Sequence, residues 1–159
     1  MKLGSVEHQG VTKTVAVIDE ANLLDLSADY KDMLALIEAG PEALDAIGSK
    51  LKSPDKIIPL ADVKMRCPIM PTQYRDFMVH EAHLRNAYDQ AEKRTGSKLN
   101  IPPVWYEQPV YYKGNRFSFI GDGQDVIWPD YSDWMDFELE MAIVIGKQGK
   151  SISKADAPA

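Results

Sequence analysis

"DFELEMAIVIG", residues 136–146, has the pattern of a strand, because polar and apolar residues alternate in it before the polar ones stop. Asp136, Glu138 and Glu140 are two residues apart, so in a strand their carboxylates share one face. The run from Ala142 to Ile145 has no polar residue, which is typical of a strand buried on both faces. The pattern predicts a central strand with three carboxylates beside the core.

Two explanations remain for carboxylates crowded in this way. Carboxylates in a partly buried place repel one another, and a divalent cation between them removes the repulsion. Oxygen ligands favour Mg²⁺, Mn²⁺ or Ca²⁺ over Zn²⁺. The alternative is the solvated face of an edge strand, which needs no ion. The apolar run that follows favours the central strand, and with it the ion.

A second group of polar residues lies between Pro71 and about Arg94, where the pattern predicts a helix that ends before Gly96. Asp76, His80 and His83 would share one face of that helix, since they stand at i, i+4 and i+7. An acid and two imidazoles on one stripe could supply a metal ligand and a general base. The alternative is a surface helix with ordinary polar residues.

Composition limits the classes of function. The chain has 159 residues and a formal net charge of −6, which argues against nucleic acid as a partner. It has no apolar run long enough to cross a membrane, and its N-terminus lacks the apolar core of a signal peptide. A single cysteine, Cys67, allows no intrachain disulfide. We expect a cytoplasmic protein with no membrane partner.

The N-terminal region, residues 1–64, has its own secondary-structure signals. They predict a strand over residues 11–19, a helix over residues 29–40 with Asp29 as N-cap and Gly40 as its stop, a second helix from Pro41, and a proline-rich linker over residues 53–71.

Three segments together resemble the fumarylacetoacetate hydrolase family, and they occur in family order. They are "DFMVHEAH", "PVYYKGNRFSFIGDGQDVIWP" and "DFELEMAIVIGKQGKSISKADAPA". The resemblance covers residues 65–159 and is clearest over residues 72–147. It implies an α+β fold, in which the small N-terminal region precedes the first part of a mixed β-sandwich roll at residues 65–159.

The resemblance also implies a metal site. Asp76, Glu138 and Glu140 would be the ligands of Mg²⁺, or of Mn²⁺ or Ca²⁺ in its place. Tyr112 matches a tyrosine that contacts the substrate.

Two histidines are implied as catalytic residues. His83 would be the general base that activates a water, at the family hydrolase's spacing from Asp76. His80 stands where members with an N-Y-x-x-H-x-x-E pattern keep their catalytic histidine. This chain has Asp76 and Phe77 in place of that Asn-Tyr, and His83 in place of that Glu, so it resembles the hydrolase branch more closely.

The implied activity is metal-dependent cleavage of a C–C bond in a β-diketo acid, such as an acylpyruvate or a fumarylacetoacetate-like substrate. Decarboxylation or isomerisation through a metal-bound enolate is the alternative within the family. A third possibility is a metal-binding fragment without turnover.

This chain departs from the family pattern beyond residue 159. Family members continue with another strand and an "NDWSARD"-like segment, which supplies a further metal-ligand aspartate. A substrate-binding lysine and a glutamate that pairs with the catalytic histidine follow. We expect a second polypeptide to complete the roll, because a half-built roll would expose core strands, and we expect the complete enzyme to be a homodimer. The alternative is a truncated product without activity.

Overall fold

A computed structural model describes residues 1–157, which form two compact units. The first unit contains residues 1–69 together with residues 120–157, and the second contains residues 70–119. Helices and antiparallel strands are both present, as expected for the α+β class. The sandwich roll and the division between residues 64 and 65 stay predictions.

The first unit contains a five-stranded antiparallel sheet in the order β4-β3-β2-β1-β5. Its strands are β1 (Leu3–His8), β2 (Val11–Val17), β3 (Asn22–Asp25), β4 (Ile57–Pro59) and β5 (Val63–Arg66). The strand predicted over residues 11–19 is thereby confirmed as β2. β1 pairs with β2 on one side and with β5 on the other.

Two helices follow β3, as predicted: α1 (Met33–Glu38) and α2 (Pro41–Lys50). Pro41 opens α2 because its fixed φ suits the first helical turn. The predicted cap of α1 was wrong by one turn. Asp32 caps the helix by accepting a hydrogen bond from the Ala35 N–H at 2.8 Å. Asp29 instead forms an ion pair with Lys50 at the end of α2.

Apolar side chains fill both faces of the sheet. Ala16 and Leu24 are register partners and therefore point to the same face, toward the helices. The core on that side contains Ala16, Leu24, Leu26, Met33, Leu36 and Ile47. Val6, Val15, Leu23 and Ile58 form a second buried cluster. Strand alternation places that cluster on the opposite face.

The linker predicted over residues 53–71 was wrong. This segment contains β4, a short 3₁₀ helix (Leu60–Asp62) and β5, which form the two edges of the sheet. Pro59 is compatible with this sheet because it is the last residue of an edge strand. At that position the missing N–H costs the sheet little hydrogen-bond energy.

The strand predicted over residues 136–146 was also wrong. None of its residues lies in a strand, and its apolar side chains face solvent. Leu139 is 98% exposed and Met141 is 93% exposed. The physical reason is that a strand needs a partner for its N–H and C=O groups, and no segment within residues 1–157 pairs with this one.

The second unit contains a two-stranded antiparallel sheet and two helices. The strands are β6 (Asp76–Phe77) and β7 (Tyr111–Tyr112), and the helices are α3 (Glu81–Thr95) and α4 (Val104–Glu107). α3 ends at Gly96, whose φ of 72° is the left-handed conformation common at helix C-termini. Within residues 1–157, no helix is both long and apolar enough to cross a membrane.

The core beneath α2 gives a test of this packing. We expect Ile47→Ala to lower the free energy of unfolding by about 2–5 kcal/mol, because Ile47 is fully buried and its removal leaves a cavity. Leu44→Ala, on the same helix but 43% exposed, should cost less than about 1 kcal/mol. Urea unfolding followed by far-UV circular dichroism compares the two. Equal losses would contradict the packing of α2 on the sheet.

Candidate functional site

Asp76 and Tyr112 are brought together by the pairing of β6 with β7. They are register partners, and paired residues of antiparallel strands point to the same side. The Met78 N–H extends this pairing by donating to the Val110 carbonyl at 3.1 Å. A candidate metal ligand and a candidate substrate contact therefore lie side by side, although they are 36 positions apart in the sequence.

Tyr74, two residues before Asp76 and outside β6, supports the Asp76 carboxylate. Its hydroxyl donates to Oδ2 of Asp76 at 3.4 Å, and its ring packs edge-to-face on Phe119 with centroids 5.1 Å apart. Gly114 makes room for this ring, because a Cβ at position 114 would overlap it. The glycine is thus needed for close approach and for the position of the hydroxyl.

The predicted helix face that joins Asp76, His80 and His83 was wrong. Asp76 lies in β6, His80 is the N-cap residue of α3 with extended backbone angles, and His83 lies in the first turn of α3. The helix begins at Glu81 because residues 76–78 pair with residues 110–112. Both histidines are exposed at the start of α3, just after the strand that carries Asp76.

A hydrogen-bond network holds the start of α3 against α4. Oε1 of Glu81 accepts from the Tyr106 hydroxyl at 2.8 Å and from Nε of Arg85 at 3.0 Å. The bond from Tyr106, followed by that from Arg85, lowers the pKa of the Glu81 carboxyl. The network fixes the helical turn that carries His83.

Trp105 makes a second connection from α4. Its indole N–H donates to the Met78 carbonyl at 2.6 Å, and its ring packs against Tyr106 with centroids 4.8 Å apart. Met78 lies between Asp76 and His80. The turn from strand to helix is therefore anchored on both its strand side and its helix side.

Sequence reasoning missed this network. The Glu81–Arg85 pair was visible as an i, i+4 pattern of opposite charges. The approach of Trp105 and Tyr106 had no comparable signal, because it depends on a short helix some 25 residues away in the sequence.

Glu138 and Glu140 belong to the first unit, in the exposed segment that follows residue 120. Asp136, in the same segment, accepts a hydrogen bond from the Phe137 N–H at 2.8 Å. Within residues 1–157, no three His, Cys, Asp or Glu side chains form a group that could hold a metal ion. The assignment of Asp76, Glu138 and Glu140 as ligands stays a prediction.

Comparison with known families gives one match, to the family described as fumarylacetoacetate (FAA) hydrolase C-terminal, over residues 74–159. The matched range includes all six candidate site residues.

Several curated proteins are similar to this chain. Fumarylacetoacetase of Oryza sativa subsp. japonica is 32% identical over 118 residues, which is 64% of this chain and 27% of that protein. A mitochondrial oxaloacetate tautomerase of Xenopus laevis is 26% identical over 143 residues, which is 87% of this chain and 41% of that protein. A mitochondrial oxaloacetate tautomerase of Homo sapiens is 27% identical over 129 residues, which is 81% of this chain and 37% of that protein. The chain thus spans less than half the length of each of these relatives.

The network at the start of α3 can be tested through the Glu81 carboxyl. Tyr106→Phe removes the hydroxyl donor, so the pKa of Glu81 should rise toward its ordinary value. Carboxyl NMR shifts followed against pH measure the change. Tyr88→Phe is the control, because Tyr88 lies on α3 and its hydroxyl has no hydrogen bond within residues 1–157. An unchanged titration of Glu81 in Tyr106→Phe would contradict the network.

Proposed function

We propose, since the chain belongs to the fumarylacetoacetate hydrolase family, that it carries site residues of a divalent-metal-dependent enzyme acting on a small keto acid. The observation that carries the proposal is the pairing of Asp76 with Tyr112, a candidate metal ligand beside a candidate substrate contact. The first choice of reaction is hydrolysis of a C–C bond in a β-diketo acid, such as an acylpyruvate.

Asp76, Glu138 and Glu140 would hold the cation. All their donor atoms are carboxylate oxygens, which fit Mg²⁺, Mn²⁺ or Ca²⁺ in type. The meeting of these three carboxylates at one ion is part of the proposal. Once bound, the cation would supply a Lewis acid that polarises a carbonyl oxygen of the substrate.

The protein's own groups would handle the protons. A ring nitrogen of His83 takes a proton from water, and the hydroxide adds to the carbonyl carbon. The bond to the neighbouring carbon then breaks, which leaves a carboxylic acid and an enolate that takes up a proton. The exposure of His83 at the start of α3 supports this role, because water can reach its ring. Tyr112 would orient the substrate beside Asp76.

Isomerisation is the second candidate. Relatives that match 87% and 81% of this chain are oxaloacetate tautomerases, whereas the fumarylacetoacetase match covers 64%. In this reaction His80 or His83 would take a proton from the carbon beside a carbonyl, and the oxygen would gain one. Decarboxylation, or metal binding without turnover, remain the further alternatives.

A second polypeptide that completes the roll, and a homodimer of the complete enzyme, stay part of the proposal. The exposed apolar side chains of residues 137–145 support the first of these, because water-exposed side chains of this kind gain free energy when another segment covers them. The keto acid is the proposed small-molecule partner. We retain the cytoplasm as the expected location, although two of the relatives are named as mitochondrial proteins.

The metal site is tested by calorimetric titration of Mg²⁺, Mn²⁺ and Ca²⁺ into the purified chain, with the intact masses of everything in the sample recorded. We expect the double variant Glu138→Gln/Glu140→Gln to weaken binding by about tenfold or more, because two of the three anionic ligands lose their charge. Asp136→Asn is the control in the same segment and should bind like the wild type. Equal binding by the wild type and the double variant would exclude these two glutamates as ligands.

The catalytic assignment is tested by measuring turnover of an acylpyruvate and of enol oxaloacetate. The assay contains the purified chain together with any polypeptide that co-purifies with it. His83→Gln should lower kcat for cleavage by about 10²–10⁴-fold while metal affinity is kept, as expected for loss of a general base. His80→Gln should affect cleavage less. Two results together would favour isomerisation over hydrolysis as the reaction. One is a larger loss of kcat in His80→Gln than in His83→Gln, and the other is turnover of oxaloacetate but not of the acylpyruvate.

A further inference from the structure

A groove of about 360 Å³ lies at one end of the five-stranded sheet, next to the turn between β1 and β2. Its polar lining includes His8, Lys13, Asp25 and Lys56, and Val11, Ile57 and Ile58 supply its apolar surface. None of the six candidate residues of the proposed enzyme site lines it.

The sheet register explains why these polar groups meet. His8 is paired with Val11, Lys13 with Val6, and Asp25 with Val15. Each pair points to one side, so the polar residues share the face of the buried cluster around Val6 and Val15. The groove therefore has a polar rim beside an apolar floor.

The lysine side of this rim has surplus positive charge. Nζ of Lys13 pairs with Oδ2 of Asp25 at 2.9 Å. Burial raises the pKa of Asp25, but hydrogen bonds from Ser27 and Lys13 outweigh it and lower the pKa, so the carboxylate stays ionised. Lys13 is thus neutralised. Lys56 has no ion-pair partner within residues 1–157, so one ammonium group of the groove remains available.

The apolar surface next to Lys56 is also open to a ligand. Val11 is 57% exposed, and its side chain points to the same face of the sheet as that of the buried Ile58, which pairs with Leu23. Ile57 pairs with Leu24, so its side chain points to the opposite face. A ligand that covers Val11 gains from the removal of this side chain from water. A volume of this size suits a small organic molecule.

We propose that this groove binds a small organic carboxylate, whose anionic group pairs with Lys56 and whose apolar chain lies against Val11 and Ile58. The site is independent of the proposed enzyme reaction, because it needs neither the metal nor the histidines of α3. The pair of Lys13 with Asp25 fixes the edge of the site and keeps a second anion from binding there.

Hexanoate is the probe, titrated into the full chain while the backbone amide NMR shifts of Val11 and Lys56 are followed. We expect a dissociation constant on the order of millimolar, as for a ligand of few atoms at an open site. Hexanamide, which has the same chain without the charge, should bind about three- to tenfold more weakly. Inorganic phosphate, which has charge but no apolar chain, should also bind more weakly than hexanoate.

Variants test the residue assignment. Lys56→Gln should weaken hexanoate binding about three- to tenfold, whereas Lys56→Arg should retain it. Lys52→Gln is the control, because Lys52 is exposed and lies outside the groove. Far-UV circular dichroism checks that each variant keeps the sheet.

Several results would overturn the proposal. One is the absence of shifts at Val11 and Lys56, and another is equal binding of hexanoate by Lys56→Gln and Lys52→Gln. Equal affinity for hexanamide would exclude the charge as the recognised group. Equal affinity for phosphate would exclude the apolar contact.

Discussion

Pairing between distant backbone segments is the constraint on which both units depend. A strand is stable only where another segment accepts and donates its hydrogen bonds. β1 meets this need on both sides, and it thereby joins β2, its neighbour in sequence, to β5, some sixty residues further on. The second unit also depends on strand pairing, although only two residues of each strand pair. The pairing of β6 with β7 fixes the side to which Asp76 and Tyr112 point. Residues 136–146 have no pairing segment within residues 1–157, and they form no strand.

Local signals made part of the fold predictable from sequence. β2 is rich in the β-branched residues Val and Thr, and α2 opens on a proline that suits a first helical turn. The segment from 53 to 71 could not be predicted in this way, because its strands exist through partners far away in the chain. Its prolines indicated a linker, yet prolines are also compatible with the edges of a sheet. The N-cap of α1 shows that local signals can also be ambiguous at short range. Asp29 and Asp32 both fit an N-cap, and the structure uses Asp32, the residue next to the helix.

The candidate site divides along similar lines. The residue types and their order along the chain were sufficient to suggest a family, which the comparison then supported. Their geometry could not be predicted from the sequence. The spacing of Asp76, His80 and His83 fits one helix face, but Asp76 lies in a strand because it pairs with β7. The contacts of Trp105 and Tyr106 that hold the start of α3 depend on tertiary structure and leave no periodic trace in the sequence.

The carboxylates of the segment from 136 to 146 have a consequence besides the proposed metal binding. Exposed apolar side chains in a segment without strand or helix can promote stacking of identical segments, as in an amyloid fibril. In such a stack the carboxylates of Asp136, Glu138 and Glu140 would each face their own copy at about 4.8 Å, and the repulsion opposes growth. The three acids would therefore oppose aggregation of the protein through this segment. High concentrations of counter-ions, which screen that repulsion, should make the protein more prone to aggregate.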